Sequence, residues 1–311
     1  MRVGIQGSGQ LAGSLPDPGR FRAVAELAEE LGYHSIWAGE HLSFVNPILD
    51  LGVALATFAA VTRRILLGAA VVLLPLRHPG LVAKQAASLD YVSGGRLLLG
   101  VGVGGEGAGD FEAAGVPLAE RGARADEGIA ALRRLFAERP AAFAGRFYRF
   151  QGVSVEPAPV QPGGPPILVG GRSEAAQRRA GTLGDGWLPY LVSPRRFAAG
   201  VEAVRRHAHA AGRDPAALVH GVVAFARVEE DGDAAREGAR EHLSRRYGMR
   251  FEPHHVERLC VAGSPEECAA RVREYAAAGA AHLSLNPAVD EDGFFRQVER
   301  LHDVALAGVP A

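Results

Sequence analysis

Short apolar runs alternate with amphipathic stretches of helical period along the whole chain, and that alternation limits what the chain can fold into. Runs at 3–6, 34–38, 65–73, 96–101, 166–169, 186–188, 219–228 and 282–285 read as strands. Helical stretches lie between them at 18–31, 47–62, 79–92, 120–137, 173–183, 194–211, 233–247, 265–278 and 293–307. In the first of these Phe21, Val24, Leu27, Ala28 and Leu31 share one face, and Gly32 stops the helix. The run 65–73 is apolar without alternation, so both of its faces must be covered, as in a parallel sheet. Eight strand–helix alternations with no break in composition predict an α/β fold, a closed (β/α)8 TIM barrel, with 1–311 as one domain. An open doubly wound sheet is the rival. It places its main glycine-rich turn after the first strand, whereas the glycines here cluster after the fourth and fifth. The proline-rich segment 140–165 reads as an extended insertion, with a small hairpin around 145–150.

The formal net charge is −1, with acids and bases mixed throughout. That excludes the basic stripe nucleic acid demands, so any anionic ligand must be held by local groups. Cys260 and Cys268 are the two cysteines, and their spacing gives neither a disulfide framework nor a structural zinc motif. His254 and His255 lack a third ligand, and no metal is expected. The opening MRVGIQGSGQ has no basic region followed by an apolar core, and no apolar stretch is long enough for a membrane span. The expectation is a cytoplasmic protein without a membrane or nucleic-acid partner.

In a barrel, chemistry sits where strands end and the following loops begin. After the second strand comes WAGEH (37–41), which sets Glu40 beside His41. This pair suits acid–base work or hydrogen bonding to a ring, though a solvated loop pair also fits. Near the end of the third strand, Ala69 and Ala70 leave room for a flat group to press on the backbone, and a bulge there would re-aim the chain. Arg77 and His78, just before the helix at Pro79, could meet an anion or lie in solvent. The fourth strand ends in GVGVGGEGAGDF (100–111), in which Gly104 and Gly105 precede Glu106. Close approach of backbone to a ligand accounts for that glycine density. No helix is expected directly after it, and the string is not read as a dinucleotide fingerprint. The fifth strand ends in Gly170, Gly171, Arg172 and Ser173 at the start of a helix, a ready cradle for phosphate, although Ser173 also fits a simple N-cap.

These residues resemble the bacterial luciferase-like family of flavin and deazaflavin oxidoreductases. The likeness runs through ILLGAAVVLLPLRHP (65–79), AKQAASLD (83–90) and SGGRLLLGVG (93–102), and continues in WAGEH, GARAD (122–126), PPILVGGRS (165–173) and GDGW (184–187). The resemblance implies a (β/α)8 barrel with an insertion at its mouth and a non-prolyl cis peptide at or next to Ala70–Val71, behind the cofactor ring. It maps the phosphate site onto Gly170, Gly171 and their neighbours. It assigns His41 and Glu106 as the catalytic pair of the deazaflavin subgroup. Two departures are informative. Gln6 stands where the family's dehydrogenases carry an acid, and 102–105 has no phosphate-gripping arginine. The second leans toward coenzyme F420, a deazaflavin, with hydride transfer to or from a small organic substrate. FMN-dependent monooxygenation with O2 and a separate reductase is the alternative. A cofactor-binding relative without activity, or an unrelated phosphate-binding isomerase barrel, are more distant readings. The family further implies a homodimer formed through the early helices.

Overall fold

The computed structural model describes residues 1–7, 17–105 and 107–308. The first half of the chain runs β1 (Arg2–Gln6), α1 (Pro18–Leu31), β2 (Ser35–Ala38), α2 (Leu51–Val61), β3 (Leu66–Leu73), α3 (Pro79–Ser93) and β4 (Leu97–Gly102). Next come α4 (Ala108–Ala114), α5 (Arg121–Ala137), β5 (Ala141–Ala144), β6 (Arg149–Val153), β7 (Ile167–Gly170), α6 (Glu174–Leu183) and β8 (Gly186–Leu188). The last third is α7 (Pro194–Ala210), β9 (Val219–Val228), α8 (Gly232–Tyr247), α9 (Pro253–Leu259), β10 (Val261–Gly263), α10 (Pro265–Ala277), β11 (His282–Pro287) and α11 (Phe294–Gly308).

Eight strands pair in parallel in the order β9-β11-β1-β2-β3-β4-β7-β8, and β8 pairs back onto β9 to close the barrel. Local chemistry marks the helix ends. Asp17 accepts the Gly19 amide at the start of α1, and Gly32 closes it with φ 89°. Asp50 accepts the Val53 amide and starts α2 at Leu51, four residues later than the apolar pattern suggests. Arg96, buried, donates to carbonyls of Ala59, Thr62, Ile65 and Ser93, which ties the ends of α2 and α3 to the start of β4. No helix among the described residues is long and apolar enough to cross a membrane.

Three departures from the sequence reading matter for the site. First, the short helix α4 follows the glycine-rich stretch directly, where only a loop was expected. Seven residues are too few for a helical stripe to show. Second, the stretch between α8 and α10 holds α9 and β10 rather than a loop. Strand β8 pairs with β9 at Val219 and His220, Tyr190 just beyond it bridges to Val223, and β10 pairs with the overhang from Ala226 to Val228. Third, no residue of 140–165 lines the cavity described below. Helix α5 returns the chain to the N-terminal side of the barrel, and the β5–β6 hairpin then lies along its outside. Glu127 accepts the amides of Arg146, Phe147 and Tyr148, while Asp90 accepts those of Val160 and Gln161.

Three histidines are buried. Burial pushes His220, His242 and His282 down from 6.5 to about 4, with nearby arginines adding to the shift at His220 and His242. Each is therefore neutral in the folded chain while its unfolded counterpart binds a proton below 6.5. Stability is complete above that value and falls as pH drops toward 4, because the unfolded state then holds more protons. The urea midpoint is expected to be clearly lower at about pH 5 than at about pH 7.5. An unchanged midpoint across that interval would contradict the assignment.

Candidate active site

The site begins at a defect in β3. Its pairing with β4 runs Ala69↔Leu99 and then Val72↔Val101, so β3 carries one extra residue there. The peptide between Ala70 and Val71 is cis. This bulge turns Val71 across the ends of β4 and β7. A Cβ on Gly102 would lie 2.5 Å from Val71 Cγ2, and one on Gly170 would lie 3.0 Å from Val71 Cγ1. A Cβ on Gly100 would strike the Ala69 carbonyl. The bulge itself therefore needs the missing Cβ at Gly100 and Gly102 and packs closely on Gly170.

Beneath the bulge, Trp37 fills the barrel and is fully buried. Its Nε1 donates to Ser35 Oγ at 2.7 Å, and its ring lies against Gly68, where a side chain would collide with it. Leu168 and Leu188 complete this packing, with Ala70 and Val71 on its upper side. The bulge rests on this layer and forms the floor of a cavity of about 730 Å³ at the C-terminal ends of the strands.

Two carboxylates organise one wall. Glu40 is buried, with Oε2 accepting the Leu73 amide at 2.7 Å and Oε1 accepting from Arg77. Burial raises its carboxyl, with Arg77 and the Leu73 amide opposing that shift. Arg77 also donates to Asp50 at 2.7 Å, so it is held by two acids and does not wait for an anion. His78 is the cap of α3, accepting the Gly80 amide. Glu40 thus ties the end of β2 to the exit of β3. Asp110 is the second carboxylate and is fully buried. Its Oδ1 accepts the amides of Leu42 and Ser43 at 2.8 and 2.7 Å, and its Oδ2 lies 3.0 Å from His41 Nδ1. Phe44 stacks on the His41 ring with centroids 4.3 Å apart. The imidazole is thus oriented by a carboxylate that is itself oriented by two amides.

The opposite wall is the loop from Gly170 to Ser173. Gly171 has φ 103°, Ser173 Oγ caps α6 by accepting the Ala176 amide, and Trp187 Nε1 donates to the Gly171 carbonyl at 2.9 Å. Trp187, stacked on Phe197, is a core residue that positions this loop. Arg172 projects beside it, 4.8 Å from the centre of the Tyr190 ring. Gly104 and Gly105, at φ 65° and 110°, bend the chain between the two walls. Gln6 lines the β1 side, with Nε2 donating to Ser284 Oγ at 2.9 Å.

The structure therefore brings Gln6, Glu40, His41, Ala70 and Val71 to one cavity with Gly104, Gly105 and the Gly170–Ser173 loop. Glu106 lies outside the described residues. Asp110 was missed as a partner of His41. An acid at the first turn of a seven-residue helix carries no signal that it faces a histidine 69 positions away. Tyr190, Phe225, Arg246 and Asn286 also line the cavity and were not singled out. No cluster of three or more His, Cys, Asp or Glu side chains placed to hold a metal occurs among the described residues.

A family model described as luciferase-like monooxygenase matches residues 1–282. The chain belongs to that family. It is 40% identical over 175 residues to an uncharacterized protein of Mycobacterium tuberculosis, covering 56% of this chain and 59% of the relative. An F420-dependent hydroxymycolic acid dehydrogenase of the same organism is 32% identical over 229 residues, or 70% of this chain and 61% of that one. The chain thus spans about three fifths of the length of these curated relatives. Among solved structures, a monooxygenase from Streptomyces bottropensis superposes with TM-score 0.84 and 26% identity, covering 98% of this chain and 99% of the other. The luciferase-like family includes both F420-dependent and FMN-dependent members.

For a luciferase-like barrel, this geometry divides the cavity by chemistry. The loop at the start of α6 offers amides, a hydroxyl and a guanidinium to an anion. The bulge offers a flat apolar floor. The His41 wall offers a group able to hold or release a proton.

Proposed function

We propose that this luciferase-like protein transfers a hydride between coenzyme F420 and a small organic substrate. The observation that carries the reading is His41, held through Nδ1 by Asp110 at the wall of a flat-floored cavity. Hydride transfer to a carbonyl or enone requires a proton to be placed on the substrate, and hydride transfer from an alcohol requires one to be taken from it; an oriented imidazole suits either task.

The residues present fit a phosphorylated tricyclic cofactor. Amides of the loop at Gly171–Ser173 and the Arg172 side chain would hold its phosphate, and Ala70 and Val71 would support its ring plane. When bound, the deazaflavin supplies or accepts the hydride. Asp110 holds the His41 ring through Nδ1 and so fixes its orientation toward the cavity. The imidazole so placed gives a proton to the substrate or takes one from it. Glu40 keeps the β3 exit in place through Leu73 and Arg77 and is a positioning residue. Gln6, an amide, has no proton to exchange at the end of β1.

The choice of F420 rests on the glycine backbone of Gly104 and Gly105, which offers no cationic side chain of its own to a flavin phosphate. The identification of one relative as F420-dependent supports it. FMN-dependent monooxygenation, with O2 and a separate reductase, is the second reading. It is favoured by Arg172, whose exposed guanidinium suits a terminal phosphate dianion. Fluorescence titration of the full chain with each cofactor separates the two. F420 is expected to bind at least about tenfold more tightly than FMN, a difference of about 1.4 kcal/mol. Tight binding of FMN with none of F420 would refute the first reading in favour of the second.

A further inference from the structure

Arg246 enters the cavity from the last turn of α8. Its guanidinium carbon lies 5.3 Å from the centre of the Phe225 ring, 5.6 Å from Phe44 and 5.7 Å from Tyr247. Phe44 is the ring that stacks on His41, so Arg246 belongs to the side of the cavity where the proton donor stands. Its neighbour Arg245 points outward to Glu241 and Asp290. Arg246 by contrast makes no ion pair among the described residues, and its Nε is buried without a hydrogen-bond partner.

Aromatic faces stabilise a cation but accept no N–H hydrogen bond in the plane of the guanidinium. A buried guanidinium nitrogen left without an acceptor is costly, and an anionic oxygen from a ligand would remove that cost. The cavity itself does not provide one among the described residues. Glu40 is the acid that lines it, and both its oxygens are taken. Among the described residues, arginines thus outnumber free carboxylates on these walls, while Phe225 and Leu188 supply apolar surface.

We propose that the substrate carries a carboxylate, or an equivalent anionic oxygen group, on an apolar body, and that Arg246 binds that group beside His41. The word substrate rests on the function proposed above; the anion site itself does not. A carboxylate is the planar match to a guanidinium held between rings, since two oxygens can meet two N–H groups side by side.

Calorimetric titration of the full chain without cofactor tests this. The probes are benzoate, phenylacetate and octanoate, each against its neutral amide. The acids are expected to bind about 10- to 100-fold more tightly than the amides, the range for a charge-assisted hydrogen bond. Arg246→Gln is expected to bring acid and amide within about threefold of each other, and Arg246→Lys, which keeps the charge but loses the fork, to fall between. Arg172→Gln is expected to keep the preference. No preference anywhere in the panel overturns the proposal. So does a preference that survives Arg246→Gln, or one lost in Arg172→Gln and kept in Arg246→Gln. Unliganded melting curves of the variants confirm that folding is intact, and the Lys variant still decides the matter where the Gln variant does not fold. Because no cofactor is present, failure here leaves the F420 titration standing, and the reverse also holds.

Discussion

His41→Ala is expected to lower kcat with reduced F420 by about 10²- to 10⁴-fold, the range for losing a positioned general acid or base. Binding of the cofactor itself should change little, since the phosphate loop and the bulge are untouched. Asp110→Asn should give a smaller loss, about tenfold or more, because the amide can no longer hold Nδ1 in one protonation state. The two variants differ in a further readout. Added imidazole should restore part of the activity of His41→Ala and none of that of Asp110→Asn, in which the ring is present but wrongly held. Turnover within a few-fold of the native chain in His41→Ala would remove His41 from the chemistry. Stopped-flow oxidation of the reduced cofactor measures both.

Trp37→Ala is expected to destabilise the fold by about 3–5 kcal/mol, as for other fully buried aromatic residues cut to alanine. The side chain is the layer on which the bulge rests, and removing it leaves the Ser35 hydroxyl without its indole donor as well as a cavity inside the barrel. Cofactor affinity should therefore fall together with stability. Trp37→Phe keeps a ring over Gly68 and should retain most of both. Urea unfolding with matched cofactor titrations reads the two effects, and a loss under about 1 kcal/mol in Trp37→Ala would mean that the layer collapses around the gap.

Much of this site was legible before any coordinate. Strand ends in a barrel face one mouth, so His41, Ala70, Gly104 and Gly170 could be grouped from their positions in the alternation alone, and the family resemblance added Gln6 and Val71. The reasons behind several of them were not legible. Gly100, Gly102 and Gly170 looked like a ligand cradle, yet a Cβ on Gly100 would meet the Ala69 carbonyl, and Cβ atoms on Gly102 and Gly170 would meet Val71. Arg77 looked available to an anion, yet Glu40 and Asp50 hold it. The 140–165 insertion gave no sign of what holds it, yet Glu127 and Asp90 do so by accepting its amides. In each case the decisive partner is distant in the chain or on another element, where spacing carries no information.

By itself the sequence determined the closed alternating barrel, the face that carries function and the anion-ready start of α6. Those properties follow from local period and from the chirality that makes parallel crossovers alike. Only the tertiary structure decided that His41 is oriented by Asp110, that Val71 occupies the glycine notches and that Arg246 is held among Phe44, Phe225 and Tyr247. Such pairings depend on which side chains meet once the barrel has closed. A period-2 or period-3.6 pattern says which face a residue takes, and leaves open what stands across from it.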